Sequence, residues 1–264
     1  MVTQIRFFGV SAFEIRNTKG TTVLVDPFLD NNPVSPVKAD DLEKVDLILV
    51  THATFDHLGD TAKIAKKFKA PVICGADVKA HLMKQGIKRE QLFSTIWGIT
   101  IEQAGIKVRS VESRHWSSVL EHDGTYDSGP PMSFILYVEP EVRIFHSGVT
   151  TLFSDLKLIG ELYNPIIGMI NVSDPEIESK YFDNPSRILT GEMTPYEAAL
   201  AAQWLGVKYA IPMHYSTYNK DVQEFVDLLN KISSRDKNYV KPVVLKPGEI
   251  LNYQKEKEDR AVAP

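Results

Sequence analysis

The sequence feature that most constrains the fold is an apolar run, residues 47–51, that ends in a cluster of polar residues. Four consecutive aliphatic residues followed by a threonine predict a buried β-strand, and a helix is predicted over residues 60–69. Between these elements lie two histidines and a carboxylate, His52, Asp56 and His57. Imidazole and carboxylate groups are ligands that divalent metals such as zinc prefer. The C-terminal ends of strands in α/β sheets are also where bound ions and molecules commonly lie. The stretch therefore predicts a metal site; the alternative is a strand-capping histidine followed by a surface turn.

The overall composition excludes several classes of protein. A chain of 264 residues with a net charge of −4 can bury a full core and carries no polyanion-binding signal, so nucleic acid is not an expected partner. The single cysteine, Cys74, lies in an apolar run and is expected to be buried as a small apolar residue. No N-terminal segment resembles a signal peptide and no apolar run is long enough to span a bilayer. A cytoplasmic protein without a membrane partner is the expectation.

Strands and helices are predicted in two similar groups. The first group is an antiparallel meander with a hairpin turn at residues 17–20, followed by alternating strands and helices. The second group adds strands 106–111, 133–138, 142–145, 166–172, 209–213 and 242–245 and helices 152–163, 194–205 and 221–232. Two such groups joined without a linker predict a single α/β domain, an αββα sandwich over residues 1–253, with a charged, disordered tail over 254–264.

Further histidines follow other predicted strands. His115 follows strand 106–111 and His214 follows strand 209–213, so both could reach the same rim as His52 and His57. His146 ends strand 142–145, and it is either a ligand or a hydrogen-bond partner of one. For each histidine taken alone, a structural role is the simpler interpretation.

The order of several motifs resembles the metallo-β-lactamase fold hydrolases, in particular the branch similar to ascorbate-phosphate lactonases. The resemblance covers nearly the whole chain and rests on residues 8–13, 25–28, 51–60, His115, 146–155, 193–199 and 212–215. It implies two mixed sheets flanked by helices, with a metal site along one edge. If the ligand positions of the family are transferred to this sequence, one metal would bind His52, residue 54 and His115. The other would bind Asp56, His57 and His214, and residue 149 would be shared between the two metals.

Three positions depart from the pattern of this family. Residue 54 is Thr where the family has a histidine, residue 149 is Val where it has a bridging aspartate, and residue 10 is Val where it commonly has a histidine. Valine cannot coordinate a cation, and threonine offers only a neutral hydroxyl. A mononuclear site is therefore expected, formed by three protein ligands and one open position. Glu192 is a candidate replacement carboxylate, and all five remaining groups could instead surround one metal.

The first functional hypothesis is a hydrolase of a small ester, lactone or phosphoester. One divalent ion, zinc by preference with manganese, iron or nickel allowed, would activate a water, and Asp56 would act as ligand or general base. The alternative is a non-catalytic small-molecule-binding protein that kept the scaffold and lost the dinuclear centre. A third hypothesis is non-hydrolytic chemistry at a repurposed metal site.

The substrate pocket is predicted to include the segment between residues 116 and 131, which is rich in Gly, Ser, Asp and Pro and shows no periodicity. Trp116, His122 and Tyr126 are candidates for contact with a small-molecule substrate, and the alternative is that the two aromatic residues anchor the loop on the core. The resemblance is also compatible with a homo-oligomer.

Overall fold

The computed structural model describes residues 2–172, 192–234 and 239–254. Residues 173–191 and the predicted charged tail from residue 255 onward lie outside these ranges. Six α-helices, two short 3₁₀-helices and sixteen strands are found in the described ranges. The strands are β1 Thr3–Gly9, β2 Ala12–Arg16, β3 Thr22–Val25, β4 Leu47–Leu49, β5 Val72–Cys74, β6 Leu92–Ser94, β7 Thr100–Gln103, β8 Ile106–Glu112, β9 Ser118–Leu120, β10 Tyr126–Ser128, β11 Met132–Glu139, β12 Val142–His146, β13 Ile167–Asn171, β14 Tyr209–Met213, β15 Lys241–Pro242 and β16 Ile250–Tyr253.

The helices lie between these strands in the order expected for an α/β fold. They are α1 Phe55–Leu58, α2 Thr61–Phe68, α3 Ala76–Lys84, α4 Leu156–Tyr163, α5 Pro195–Leu205 and α6 Lys220–Ser233. Helix α5 begins with a capping box, in which the Thr194 hydroxyl accepts from the Glu197 amide while the Glu197 carboxylate accepts from the Thr194 amide. None of the helices in the described ranges has the length and apolar character needed to cross a membrane.

Two seven-stranded mixed sheets form the centre of the molecule. The first has the order β16-β1-β2-β3-β4-β5-β6, and the second has the order β15-β14-β13-β12-β11-β8-β7. In the first sheet β1, β2 and β3 pair antiparallel as predicted, and β3 to β6 are parallel. In the second sheet β12 to β15 are parallel, and β7, β8 and β11 are antiparallel.

Alternate side chains of the central strands enter different cores, which explains their unbroken apolar sequences. Leu47 and Leu49 of β4 pack between the two sheets, whereas Ile48 packs with residues of α2 and α3 on the outer face. In the second sheet, Ile144 faces the other sheet and Phe145 packs with α4, α5 and α6. Both faces of each sheet are therefore buried, as a sandwich of two sheets between helices requires. The predicted αββα sandwich is confirmed.

Three predicted elements differ in the structure. The segment predicted to be irregular between residues 116 and 131 contains a two-stranded hairpin, β9 and β10. Its strands are three residues long and half exposed, so they show no apolar alternation. The helix predicted from residue 152 begins at Leu156. The strand predicted over 242–245 is only Lys241–Pro242, and an unpredicted last strand, β16, pairs with the edge of β1.

Candidate metal centre

The candidate site lies where the first sheet meets the second. Val10, just after β1, forms an isolated antiparallel bridge with Tyr215, just after β14, and the His214 amide donates to the Val10 carbonyl at 2.7 Å. Val10 and His214 both have positive φ, 55° and 73°. This backbone conformation is unfavourable for residues other than glycine. The two strained residues bring His214 of the second sheet to the rim that carries His57.

Asp26 anchors the loop that follows β4. This buried carboxylate comes directly after β3, and it accepts from the Thr51 amide and the Thr51 hydroxyl at 2.8 Å each. It also accepts from Nδ1 of His57 at 2.7 Å. Because a carboxylate accepts only, Nδ1 of His57 carries the proton and Nε2 keeps its lone pair. Asp26 therefore fixes both the position and the tautomer of His57.

A glycine holds this loop against the stretch after Asp26. Gly59 has a φ of 42°, and a side chain there would come within 2.5 Å of the Pro27 carbonyl oxygen. The next residue, Asp60, accepts from the Leu29 and Asp30 amides at 2.8 Å each. The predicted helix start at residue 60 thus follows a close backbone contact that only glycine permits.

His214 has the same kind of support as His57. Its Nδ1 donates to the Glu192 carboxylate at 2.8 Å, which leaves Nε2 with its lone pair. The two Nε2 atoms of His57 and His214 are 3.4 Å apart. Glu192, predicted as a possible extra ligand, thus contacts His214 through one oxygen, and its other oxygen is buried without a hydrogen-bond partner among the described residues.

Asp56 completes a group of three residues that could bind a metal ion. Asp56, His57 and His214 are buried, and each offers a ligand atom within 4.8 Å of the others. Oδ2 of Asp56 lies 3.6 Å from Nε2 of His57 and 3.4 Å from Nε2 of His214, and neither oxygen has a hydrogen-bond partner of normal geometry in the described part of the chain. Burial by itself raises the pKa of Asp56, but its interactions with the His57 and His214 rings and with the Thr54 hydroxyl outweigh burial and hold the pKa below its usual range.

This arrangement fits a divalent cation. Two nitrogen lone pairs and an ionised carboxylate converge in a buried place, where they repel one another unless a positive charge lies between them. Zinc ligands commonly have this composition, with each histidine hydrogen-bonded through its other nitrogen to a carboxylate. We therefore take Asp56, His57 and His214 as the candidate ligand set.

The remaining predicted ligands, His52 and His115, lie beside this set. The ring centroid of His52 is 3.9 Å from that of His57 and 5.2 Å from that of His115. His52 Nδ1 is 2.9 Å from the Thr51 hydroxyl, whose proton is donated to Asp26, so His52 carries its own proton on Nδ1. Burial and the neighbouring histidines lower the pKa of His115 to about 3 and that of His52 well below its ordinary value. Both rings are thus neutral near pH 7.

His146 has a structural environment. Its Nδ1 accepts from the Gly148 amide at 3.1 Å, and its Nε2 lies 3.2 Å from the Ser11 carbonyl oxygen, to which it donates. Burial lowers the pKa of this imidazole to about 4. Since both nitrogens bind backbone groups, we leave His146 out of the proposed ligand set.

Two of the three residues predicted to contact a substrate line a cleft in the structure. Trp116 and Tyr126 line a cleft of about 1140 Å³ that also reaches Thr54 and Asp56. His122 is exposed between β9 and β10 and is not among the residues that line the cleft.

The supporting roles of Asp26 and Thr51 were missed by sequence reasoning. A signal was present, because Asp26 directly follows the buried strand β3, and β3 pairs in parallel with β4, the strand that precedes His52, Asp56 and His57. Parallel neighbouring strands bring such positions to one edge of a sheet.

Comparison with known proteins agrees with this geometry. A family model described as the β-lactamase superfamily domain matches residues 21–215. A UPF0173 metal-dependent hydrolase of Methanobrevibacter smithii is 36% identical over 255 residues, covering 96% of this chain and 98% of its own length. Another from Thermococcus onnurineus is 35% identical over 257 residues, covering 95% and 99%.

The fold also matches solved structures. The metallo hydrolase Igni18 of Ignicoccus hospitalis superposes with a TM-score of 0.77 at 24% identity, over 97% of this chain and all of its own. At this identity the likeness concerns the fold. The family model spans all five candidate ligands, which are His52, Asp56, His57, His115 and His214. On the evidence of this match and of the two relatives, the chain belongs to the metallo-β-lactamase superfamily, among the UPF0173 metal-dependent hydrolases.

Proposed function

We propose that this protein is a metal-dependent hydrolase of a small ester, lactone or phosphoester that holds one catalytic divalent ion through Asp56, His57 and His214. The proposal rests on the convergence, in one buried place, of two nitrogen lone pairs and a carboxylate whose oxygens have no hydrogen bond of normal geometry to the described residues. The names of the relatives, which are metal-dependent hydrolases, support the same reaction class. Zinc suits this ligand set, and manganese, iron and nickel are compatible with it.

The residues of the chain have separate roles in this proposal. When bound, a divalent ion would supply a Lewis acid and a water of lowered pKa, about 7 for zinc. Asp26 and Glu192 hold His57 and His214 with their Nε2 atoms toward Asp56. Asp56 is ionised and lines the cleft, so its carboxylate can accept the proton of the attacking water.

A mononuclear site is proposed because the chain lacks two ligands of the second metal. Thr54 lies at the cleft in place of a histidine. Val149 is buried, and its carbonyl accepts from the Ser113 hydroxyl at 2.6 Å, so the backbone is ordered there but no carboxylate is available to bridge two ions.

The experiment compares Asp56→Asn and Asp56→Ala with the unchanged protein in hydrolysis of p-nitrophenyl acetate after loading with zinc. We expect turnover to fall by about 100-fold or more in both variants, since a general base commonly contributes 10² to 10⁴. Asp221→Asn, on the outer helix α6, is the control and should keep full activity. Retained turnover in Asp56→Ala would overturn this mechanism.

A further inference from the structure

The cleft above Asp56 has walls that are mainly aromatic and aliphatic. Phe28 and Phe55 meet edge to face, with ring centroids 5.8 Å apart, and they face the same cleft as Trp116, Leu120 and Tyr126. The last three side chains are 52%, 58% and 66% exposed. Large apolar side chains gathered around one opening are a feature of ligand-binding sites rather than of ordinary surface.

The hairpin that carries part of this wall is held in place by polar contacts. Lys84 of α3 contacts Asp127 at 2.7 Å, and His81 contacts Glu121 at 2.8 Å. The Ser128 hydroxyl donates to the Ser117 carbonyl at 2.7 Å. The wall formed by β9 and β10 is thus held against α3. Its apolar side chains face the cleft in an arrangement that does not depend on a bound ligand.

The cleft offers no cation from the described residues. Among its described lining residues, only Asp56 and Asp60 carry charge at neutral pH, and both charges are negative. Asp60 is already bonded to the Leu29 and Asp30 amides. Sites that bind phosphate use arginine, lysine or clusters of backbone amides to offset its charge. The proposed metal ion would be the positive charge near a bound phosphoester, and no described lining residue adds another to offset Asp56, Asp60 and the phosphoester itself.

We infer that the substrate is an uncharged carboxylic ester or lactone with an apolar or aromatic group, and not a phosphoester. This inference rests on the proposed function for its reaction. The oxygen of water bonds to the carbonyl carbon, the acyl carbon–oxygen bond breaks, and the water proton accepted by Asp56 passes to the departing alkoxide. An ester gives a carboxylic acid and an alcohol, and a lactone gives one hydroxy acid. The apolar group lies against Trp116, Leu120 and Tyr126.

The test uses zinc-loaded protein and substrates that share one leaving group. Those substrates are p-nitrophenyl acetate, butyrate and hexanoate, with p-nitrophenyl phosphate and bis(p-nitrophenyl) phosphate as the anionic set. We expect kcat/KM to rise about tenfold or more from acetate to hexanoate, because added methylenes are buried, and the phosphoesters to react at least about 100-fold more slowly. Equal or faster hydrolysis of either phosphoester would overturn the inference.

Variants of the wall separate substrate binding from chemistry. Trp116→Ala and Leu120→Ala should each raise KM for the hexanoate ester about five- to tenfold with little change in kcat. Leu162→Ala, an exposed leucine on α4, is the matched control and should change neither. Leu120→Lys should weaken ester hydrolysis and shift the preference toward bis(p-nitrophenyl) phosphate. Wall variants that behave like Leu162→Ala would contradict the assignment.

A binding measurement keeps this inference distinct from the proposed function. In Asp56→Asn, equilibrium dialysis should show tighter binding of p-nitrophenyl hexanoate than of bis(p-nitrophenyl) phosphate. If no ester of either kind is hydrolysed by the unchanged protein, the proposed function fails while this preference still supports an apolar ligand. Tighter binding of the phosphate diester would overturn the inference whether or not the protein is a hydrolase.

Discussion

The two groups of histidines at the rim differ in what supports them. His57 and His214 each donate one ring nitrogen to a buried carboxylate, Asp26 and Glu192. His52 is bonded instead to the neutral Thr51 hydroxyl, and His115 has ring contacts with His52 and Trp116 but no recorded hydrogen bond within the described ranges. The first group is oriented by charge, and the second is held mainly by packing.

This difference indicates where a cation would bind more tightly. A carboxylate behind a histidine fixes its tautomer and raises its basicity as a ligand. The supported pair also lies beside Asp56, whereas the family pattern would pair His52 and His115 with ligands at positions 54 and 149, where the chain has Thr and Val. We propose that the supported group alone holds the metal.

The largest effect is expected from removal of a supported histidine. His57→Ala and His214→Ala should each lower zinc affinity by more than about 100-fold, which is the upper end for loss of a supporting group. Competition with a chromophoric chelator measures this directly. His122→Ala changes an exposed histidine outside the cleft and should leave the affinity unchanged; an equal loss there would indicate nonspecific binding.

His146 allows a comparison with a buried histidine that is not a proposed ligand. Its pKa is about 4 in the fold, against an ordinary value of 6.5, so the unfolded chain takes up a proton first as the pH falls. The neutral state of His146 therefore makes a contribution to the free energy of unfolding that is complete above pH 6.5 and is lost as the pH falls from 6.5 to 4. This contribution amounts to about 3 kcal/mol.

Urea denaturation of the metal-free protein at pH 7 and pH 4 measures this loss. His146→Gln keeps a donor for the Ser11 carbonyl but does not titrate, so it should lose less free energy of unfolding on acidification than the unchanged protein. His52 and His115, whose pKa values are also lowered in the fold, contribute to the pH dependence of both proteins. An identical pH dependence in the two proteins would show that His146 is not held neutral.

Weakening the supporting carboxylates should have an intermediate effect. Glu192→Gln and Asp26→Asn preserve shape but remove the charge that orients His214 and His57, and zinc affinity should fall about 10- to 100-fold. Isothermal titration with zinc is the measurement, and Glu161→Gln, exposed on α4, is the matched control. Unchanged affinity in both variants would mean that the carboxylates serve the fold rather than the metal.

The smallest effect is expected at the unsupported histidines. His52→Ala and His115→Ala should each change zinc affinity by less than about tenfold, which is below the range for a lost ligand. The same titration compares them with His57→Ala. A loss as large as that of His57→Ala would place His52 or His115 among the ligands and remove the distinction between the two groups.

The central part of the fold could be predicted from the sequence because its signals are local and strong. The apolar run at residues 47–51, the helix predicted over 194–205 and the hairpin turn predicted at 17–20 each match an element of the structure. The hairpin of β9 and β10 could not be predicted, since its short strands are stabilised by each other and by contacts with α3 rather than by an apolar pattern. The edge strand β16 depends in the same way on pairing with β1.

The site was predictable in its members and not in its internal order. Strand ends placed Asp56, His57 and His214 on one rim, and the structure brings them together. The hydrogen bonds of Asp26 and Glu192 join residues 31 and 22 positions apart in the chain, so no local pattern could show which histidines they support. The bridge between Val10 and Tyr215, which brings His214 to the rim, is likewise a long-range contact.

The most direct test of this account is the number of metal ions bound per chain. Elemental analysis after equilibration with zinc should give about one ion for the unchanged protein and for His52→Ala, and close to none for His57→Ala. Two ions per chain in the unchanged protein, or loss of the single ion in His52→Ala with retention in His57→Ala, would contradict the claim that the carboxylate-supported histidines alone form the metal centre.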